Sequence, residues 1–298
     1  KGRRSPVMIE ISEIIVFGLL RGALFALAAF GFSLVLGVLG IVNFAHGVFV
    51  VLGALITWSL QQQLGLNIVL ASLTAALAMG VLGVVIQKLF IARVFKLHPF
   101  MILVQTFGVA VVATQLAELA WGGSERLVKI NFPGPALIEL GDVFIPTWDV
   151  VVFAISLVGA LALVAILQLT SLGRAVRACR DSIDSASLVG VNVDRIFLIT
   201  MAICGIWSGL AGALVVTLKP TGPYMHFYWT LDAFLVVIIG GLGSIGGALL
   251  GGFLYGIVNF AAYYFIPSQA PAIIFATLIV LLMVRPQGLF GLGATVRK

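Results

Sequence analysis

The chain has 298 residues, of which 61% are hydrophobic and 9% are charged, and its formal net charge is +6. Soluble domains carry about 25% charged residues, so this composition excludes an ordinary soluble protein and indicates an integral membrane protein. In such proteins an excess of positive charge reflects basic cytoplasmic loops, so it does not indicate nucleic-acid binding.

Apolar segments follow one another along the chain, each near the length of about 20 residues that crosses a bilayer as a helix. A spanning segment must satisfy its backbone hydrogen bonds internally, and these segments lack the alternation typical of a β-barrel. We therefore predict an all-α integral membrane protein with about eight transmembrane helices, broken or re-entrant segments, and one transmembrane domain over residues 1–298. The predicted segments are 14–38, 46–60, 67–86, 99–120, 149–169, 197–218, 231–264 and 271–284.

The first break in an apolar run is Asn43-Phe-Ala-His46-Gly47. Polar side chains inside an apolar run are costly in lipid, so they face a cavity or a neighbouring helix. Two interpretations remain open here. Asn43 and His46 either bond across helices and hold the break in shape, or they line a translocation pathway together with Gly47. We also expect Asn43 to cap a helix that starts near Ala45.

Basic residues are concentrated in the loop 87–98, in the polar stretch 171–195 and at the C-terminus, and the excess of lysine and arginine predicts that these regions are cytoplasmic. The segment 121–148 carries acids and three prolines and is expected to be an external loop. The basic residues that support this prediction are Lys88, Arg93, Lys96, Arg174, Arg177, Arg180, Arg195, Arg285, Arg297 and Lys298.

The polar stretch is predicted to be a helix set between two apolar runs. Its three arginines recur at every third residue, so they would drift slowly around one face, and a glycine is expected to end the helix. One interpretation is an ordinary cytoplasmic loop helix with solvated charges; the other is a handle that a separate soluble motor protein grips. The second interpretation assigns coupling to Arg174, Arg177, Arg180, Asp184, Ala186 and Gly190.

A second break, 240–247, lies at a comparable place in the other half of the chain. Glycine-interrupted segments in matching halves are the best sequence indication of a transporter's translocation site. The run also matches G-x-G-x-x-G, but no βαβ unit or following acid supports dinucleotide binding, and no nucleophile elbow surrounds its serine. The residues assigned to the pathway here are Gly240, Gly241, Gly243 and Ser244.

The segment Lys219–His226 contains two prolines and a glycine and predicts an external turn, which is either a plain connection or an outer gate that touches a delivery protein. Asp232 begins the next apolar run, and we expect an acid in the first turn of a helix rather than a substrate ligand. Cys179 and Cys204 predict no disulfide. No metal-type Cys/His spacing or paired acid and base occurs, so we expect no metal, no cofactor and no catalytic residue.

Several motifs, in this order and spacing, resemble those of the branched-chain amino acid ABC permeases, specifically the LivH type rather than its LivM partner. The likeness runs from about Ile14 to Gly291. The stretch Asp184-Ser-Ala186-x-x-x-Gly190 is also similar to the E-A-A-x-x-x-G loop of ABC importers, in which a short helix docks on the ATPase; Asp184-Ser185 stands here in place of Glu-Ala. The motifs are Asn43–Gly47, Gly173–Ala178, Ala186–Arg195, Ser208–Ala213, Ala233-Phe234, Gly240–Ala248 and Arg285–Gly291.

The resemblance implies an importer of the bacterial inner membrane. This chain and a LivM-like paralogue would form the pathway within membrane lipid, two cytoplasmic ATPase subunits would power it, and a periplasmic amino-acid-binding protein would deliver the substrate. The sequence has no P-loop, so ATP hydrolysis would belong to the partner subunits. Two alternatives remain: a permease or passive channel for another small solute such as urea or short amides, and a membrane-embedded enzyme.

Overall fold

The computed structural model describes residues 6–95, 99–130, 135–285 and 288–289, and most of these residues are helical. A π-helical segment, Gln87–Ile91, joins α3 to α4, and short 3-10 turns at Pro223–Met225 and Pro267–Gln269 precede α10 and α12. The helices are α1 (Pro6–Leu39), α2 (His46–Leu64), α3 (Ile68–Ile86), α4 (Ala92–Val94), α5 (Pro99–Trp121), α6 (Thr147–Leu169), α7 (Ser171–Asp181), α8 (Ile183–Leu188), α9 (Val193–Val215), α10 (His226–Gly240), α11 (Ile245–Phe265) and α12 (Ala270–Val284).

Within the described ranges, 8 helical segments are long and apolar enough to cross a membrane. This confirms the all-α transmembrane prediction. The predicted run 231–264 is divided into α10 and α11 by a four-residue break, and α10 starts at His226 rather than at 231. The earlier start follows from Pro223, which opens a 3-10 turn that leads directly into the helix.

The segment expected to be an external loop contains a small antiparallel hairpin, β1 (Leu137–Leu140) and β2 (Val143–Pro146). Strand β1 is exposed throughout, whereas β2 alternates between buried and exposed side chains. The tight connection between the strands contains Gly141, whose φ of +68° a glycine adopts without steric cost. Apart from this hairpin and an isolated bridge between Arg126 and Thr221, the described chain has no β-structure.

Helices α1 and α11 are antiparallel and pack with their backbones in direct contact. A Cβ atom on Gly22 would lie 2.7 Å from the Cα of Phe253, and a Cβ on Gly252 would lie 2.7 Å from the Cα of Ala26. Small residues permit such an approach, which replaces side-chain interdigitation with backbone contact. The core of the molecule is therefore built around α1, with α10 and α9 on its other sides.

Two ends of the bundle can be distinguished. At the α7 end, Phe95 packs on Phe197 with ring centroids 4.8 Å apart, and the N–H of Leu289 donates to the carbonyl of Ile239 at 2.9 Å. The described parts of the three basic regions thus share one end, as their common charge predicts; Lys96, Arg297 and Lys298 lie outside the described residues.

The opposite end, which we call the hairpin end, joins the α5–α6 and α9–α10 connections. The backbones of Arg126 and Thr221 exchange two hydrogen bonds of 2.9 Å, and the indole of Trp148 donates to Thr217 at 2.9 Å. The predicted external loop and the turn after Lys219 therefore lie together, away from α7.

Candidate functional site

Helix α7 lies across the end of α6 with its apolar side inward. Gly173, Val176 and Cys179 are buried, and Thr170 caps the helix by accepting the N–H of Gly173 at 3.2 Å. A Cβ on Gly173 would lie 1.9 Å from the carbonyl oxygen of Leu167, so only glycine permits this approach. Burial also raises the pKa of the Cys179 thiol. The polar stretch is therefore amphipathic, as a helix at a membrane surface must be.

The three predicted coupling arginines have different surroundings. Arg174 is exposed. Arg177 turns back and donates to the carbonyl of Leu167 in the last turn of α6, so it holds α7 on α6 rather than pointing freely away. Arg180 forms an ion pair with Asp181 at 3.4 Å.

The polar stretch is two helices rather than the single helix that we predicted. Ser182 has extended backbone angles and ends α7, and its side chain accepts the N–H of Ser185 at 3.2 Å, which starts α8. Serine is suited to this role because its hydroxyl satisfies a free N–H group at a helix start. The exposed Asp184 lies in the first turn of α8, where the helix dipole favours an acid.

The end of α8 exposes apolar side chains on a polar surface. Ala186 is buried, but Leu188 and Val189 are 87% and 77% exposed. Gly190 then stops the helix with a φ of +85°, as expected, and nothing lies within 4 Å of the position that a Cβ would take. Leu188, Val189 and Gly190, which we call the α8 tip, project from the α7 end.

The first break, Asn43–Gly47, makes hydrogen bonds with α1, α5, α9 and α10. His46 is fully buried; its Nε2 lies 2.9 Å from the carbonyl of Ala28, and its Nδ1 lies 3.6 Å from the sulfur of Cys204. The N–H of Phe44 donates to Thr106 on α5. The contacts of His46 are those of the interpretation in which a polar residue bonds across helices.

The start of α2 is stabilised from α10 as well as by Asn43. The Oδ1 of Asn43 accepts the N–H of Ala45 at 3.0 Å, one residue before the helix, while the N–H of Gly47 donates to Thr230 at 2.9 Å. A Cβ on Gly47 would lie 1.8 Å from the carbonyl oxygen of His226. The capping role expected of Asn43 is therefore shared with Thr230, a partner that the sequence did not indicate.

The second break is a glycine turn between α10 and α11. Gly241 and Gly243 have φ of +99° and +74°, which only glycine adopts readily. Ser244 caps α11 by accepting the N–H of Gly247 at 3.0 Å. Gly240 packs against the backbone of Gly247, so the two helices meet almost at the turn itself.

The two breaks lie at opposite ends of α10. Thr230 contacts the first break, whereas Gly240 leads into the second, and ten helical residues between them span about 15 Å. The second break instead lies near α7. A cavity of about 390 Å³ separates them and is lined by Leu36, Gly37, Arg180, Asp181, Leu242, Gly243 and Ser244.

Sequence reasoning missed a polar group near the hairpin end. Asp232 is not at a helix start; it lies two turns into α10, and its Oδ1 accepts a hydrogen bond from the hydroxyl of Tyr255 at 2.5 Å. Asn259 donates to the same hydroxyl at 3.3 Å, and the ammonium of Lys219 lies 4.4 Å from the centre of the Trp229 ring. The signal that was available is the presence of an acid within an apolar run, which is functional more often than structural.

Comparison with known proteins identifies the family. Residues 14–284 match the family model described as branched-chain amino acid transport system / permease component. The chain is similar to the high-affinity branched-chain amino acid permease protein LivH of Escherichia coli, at 28% identity over 92% of this chain and 93% of the relative. It is also similar to BraD of Pseudomonas aeruginosa, at 27% identity over 96% and 97%.

The likeness extends to a permease whose name gives a different solute. The ribose import permease protein RbsC of Escherichia coli is 28% identical over 70% of this chain and 68% of its own length. No solved structure matches the chain. The relatives and the eight candidate spans make the chain a multi-pass protein of the bacterial inner membrane. It belongs to the branched-chain amino acid transport permease family, and within that family it is of the LivH type.

Proposed function

We propose that this chain is one of two permease subunits in an ATP-driven importer of branched-chain amino acids. The observation that carries the proposal is the α8 tip, an exposed apolar group at the end of the bundle where the basic residues gather. Exposed Leu188 and Val189 are costly in water, and a groove on a partner protein would remove them from it. The name of LivH, a high-affinity branched-chain amino acid permease, supports the choice of substrate.

The ATPase would act on the pathway through α7. Arg177 and Gly173 hold α7 against α6, so a push on the α8 tip would move α7 as one piece. Arg180 on α7 and Gly243 in the second break line the same cavity. A displacement of α7 would therefore reach the glycine turn, where positive φ angles and missing side chains permit the backbone to move.

The residues of the first break would act differently. Gly47 would fix the start of α2 against α10, His46 would fix it against α1 and α9, and Asn43 would hold the local turn through the N–H of Ala45. Movement of α10 at the second break would then carry α2 with it. Gly240, Gly241, Gly243 and Ser244 would form the hinge at the cytoplasmic end of the pathway.

The proposed partners are two cytoplasmic ATPase subunits, a LivM-like paralogue and a periplasmic amino-acid-binding protein. The binding protein would dock at the hairpin end, which lies opposite the α8 tip. In this arrangement the chain itself is not an enzyme, and ATP hydrolysis takes place in the partner subunits.

A reconstituted complex tests the proposal. Proteoliposomes that contain this chain, the ATPases and the paralogue should take up radiolabelled leucine only with ATP and the binding protein. Leu188→Asp should abolish uptake and loosen ATPase copurification, whereas Leu137→Asp, an exposed leucine of β1 at the opposite end of the bundle, should leave ATPase copurification unchanged. ATP-independent passage of leucine or urea would overturn the proposal and support a passive channel. Uptake of ribose instead of leucine would show that the proposed substrate is wrong.

A further inference from the structure

Lys219 and Asp232 carry opposite charges on the same side of α10, because the Lys219 ammonium lies over the Trp229 ring and Trp229 precedes Asp232 by about one helical turn. Within the described residues, the ion pairs within 4 Å join other groups, Arg21 with Asp149 and Arg180 with Asp181. Lys219 and Asp232 are farther apart than this, yet the Asp232 carboxylate is close enough to oppose the lowering of the Lys219 pKa that burial causes. A gap therefore separates an ammonium group from a carboxylate.

Each of the two charges is held in place by an aromatic residue. The Lys219 ammonium lies 4.4 Å from the centre of the Trp229 ring, and Trp229 is itself buried. The Asp232 carboxylate accepts the hydroxyl of Tyr255, whose side chain is 1% exposed. These contacts place the ammonium at Trp229 and the carboxylate at Tyr255 rather than against each other.

Both charged residues reach solvent beside buried aromatic residues. Lys219 is exposed and Asp232 is partly exposed. Their aromatic neighbours Trp229 and Tyr255 are buried, so the two charges lie where the aromatic core of the bundle meets solvent.

An apolar cavity of about 250 Å³ begins at Tyr255, the partner of the carboxylate, and extends along α10 toward Ile239 and Leu289. The same Tyr255 that donates to Asp232 forms part of its wall, and Leu235, another wall residue, follows Asp232 by about one helical turn. Val258 and Ile274 add further aliphatic side chains to this wall. Pockets for small ligands combine such an apolar wall with a few fixed polar groups.

We propose that Lys219, Asp232 and this cavity form a binding site for a zwitterionic amino acid with a branched aliphatic side chain. Lys219 binds the carboxylate, Asp232 binds the ammonium, and the side chain enters the cavity. The inference rests on the proposed function and adds to it a place between the hairpin end and the glycine turn where the substrate binds on its way through the bundle. It replaces the expectation that Asp232 is only a helix-start acid.

Two competing roles for these residues give different results in the same experiment. If Lys219 and Asp232 merely tether the α9–α10 connection, their replacement would alter stability without altering ligand preference. If the cavity holds a lipid acyl chain, added lipid would compete with leucine and the charges would be irrelevant. Only the zwitterion site requires Lys219 to exclude an analogue without a carboxylate and Asp232 to exclude an analogue without an ammonium group.

The experiment is saturation-transfer NMR, which detects weak ligands, on the assembled complex with its ATPases and without the binding protein. The probes are leucine, isoamylamine (leucine without the carboxylate) and 4-methylpentanoate (leucine without the ammonium). The parent complex should bind leucine and neither analogue. Lys219→Met should weaken leucine binding by about tenfold or more, as loss of a charged hydrogen bond does, and should make isoamylamine as good a ligand as leucine.

Asp232→Asn should likewise weaken leucine binding and should make 4-methylpentanoate as good a ligand as leucine. Lys219→Arg keeps the positive charge and should retain leucine binding. Val258→Phe should remove leucine binding but retain that of alanine, because it fills only the cavity. Lys129→Met, an exposed lysine on the same side of the bundle, is the matched control and should change nothing. Asp232 is partly buried, so the Asp232→Asn complex could fail to assemble. In that case Lys219→Met alone decides the test.

Unchanged leucine binding in Lys219→Met overturns the inference, as does competition by lipid or equal binding of either analogue to the parent complex. The proposed function is judged separately, by ATP-dependent leucine uptake of the parent complex with its binding protein. Uptake by the parent that persists unaltered in Lys219→Met refutes the site alone, whereas absence of uptake by the parent refutes the function.

Discussion

Replacement of Gly190 by alanine should uncouple transport from ATP hydrolysis. Gly190 has a φ of +85°, and a methyl group there would touch nothing within 4 Å. The cost is therefore purely conformational: an alanine in the left-handed region costs about 1–2 kcal/mol, because its Cβ approaches the following carbonyl. The α8 tip would abandon its turn rather than accept that strain.

A penalty of about 1–2 kcal/mol lowers the population of α8 tips that keep the turn by a factor of roughly 5–30. We expect ATP-driven leucine uptake in proteoliposomes to fall by about that factor. Gly190→Asn should lose much less, because asparagine adopts positive φ more easily than alanine.

Gly65 provides the matched control. It ends α2 with a φ of +63°, it also has nothing within 4 Å of its Cβ position, and it lies at the other end of the bundle. Gly65→Ala carries the same backbone strain and should leave coupling intact. Equal uptake by the two alanine variants would refute the idea that the α8 tip transmits force.

Three further predictions follow from contacts around α7 and α2. Arg177→Met removes the bond to the end of α6, so amide hydrogen exchange in α7 should accelerate by about tenfold or more, while the exposed Arg174→Met should leave it unchanged. Gly47→Val brings a side chain into the backbone of α10 and should prevent a stable complex, as a lowered melting temperature would show; Gly108→Val on the open face of α5 should have no such effect. Cys179 is buried and the pKa of its thiol is raised, so maleimide should label it slowly near neutral pH. Labelling should become faster during ATP turnover if α7 moves. An unchanged labelling rate would mean that α7 stays in place.

The sequence predicts the spans well because their signal is composition, which does not depend on partners. It also predicts the turn at Gly190, since a glycine that follows a helical run commonly ends it with positive φ. The split at Ser182 was missed although serine and aspartate favour helix starts over helix interiors, because the spacing of the arginines was extended through them as one helix. The start of α10 was missed because hydropathy begins at 231, whereas the helix begins at a turn set by Pro223.

The site was harder to predict than the fold. Thr230 and Tyr255 act on residues far from them in the chain, on the first break and on Asp232, and no periodicity reports such contacts. The breaks themselves were recognisable from glycine and polar residues, but their placement at opposite ends of α10 requires the folded path of the chain. Local chemistry can thus be predicted where tertiary neighbours cannot.

The glycine-mediated contact of α1 with α11 has a mechanical consequence. Where backbones touch, no side-chain layer remains to deform, so the pair must behave as a single stiff rod. One end of that rod lies beside the second break, through Gly37, and Arg21, farther back along α1, forms the ion pair with Asp149. Any tilt imposed at the α7 end is therefore delivered toward the hairpin end as a swing of the whole rod, and the salt bridge there is the joint that must bend.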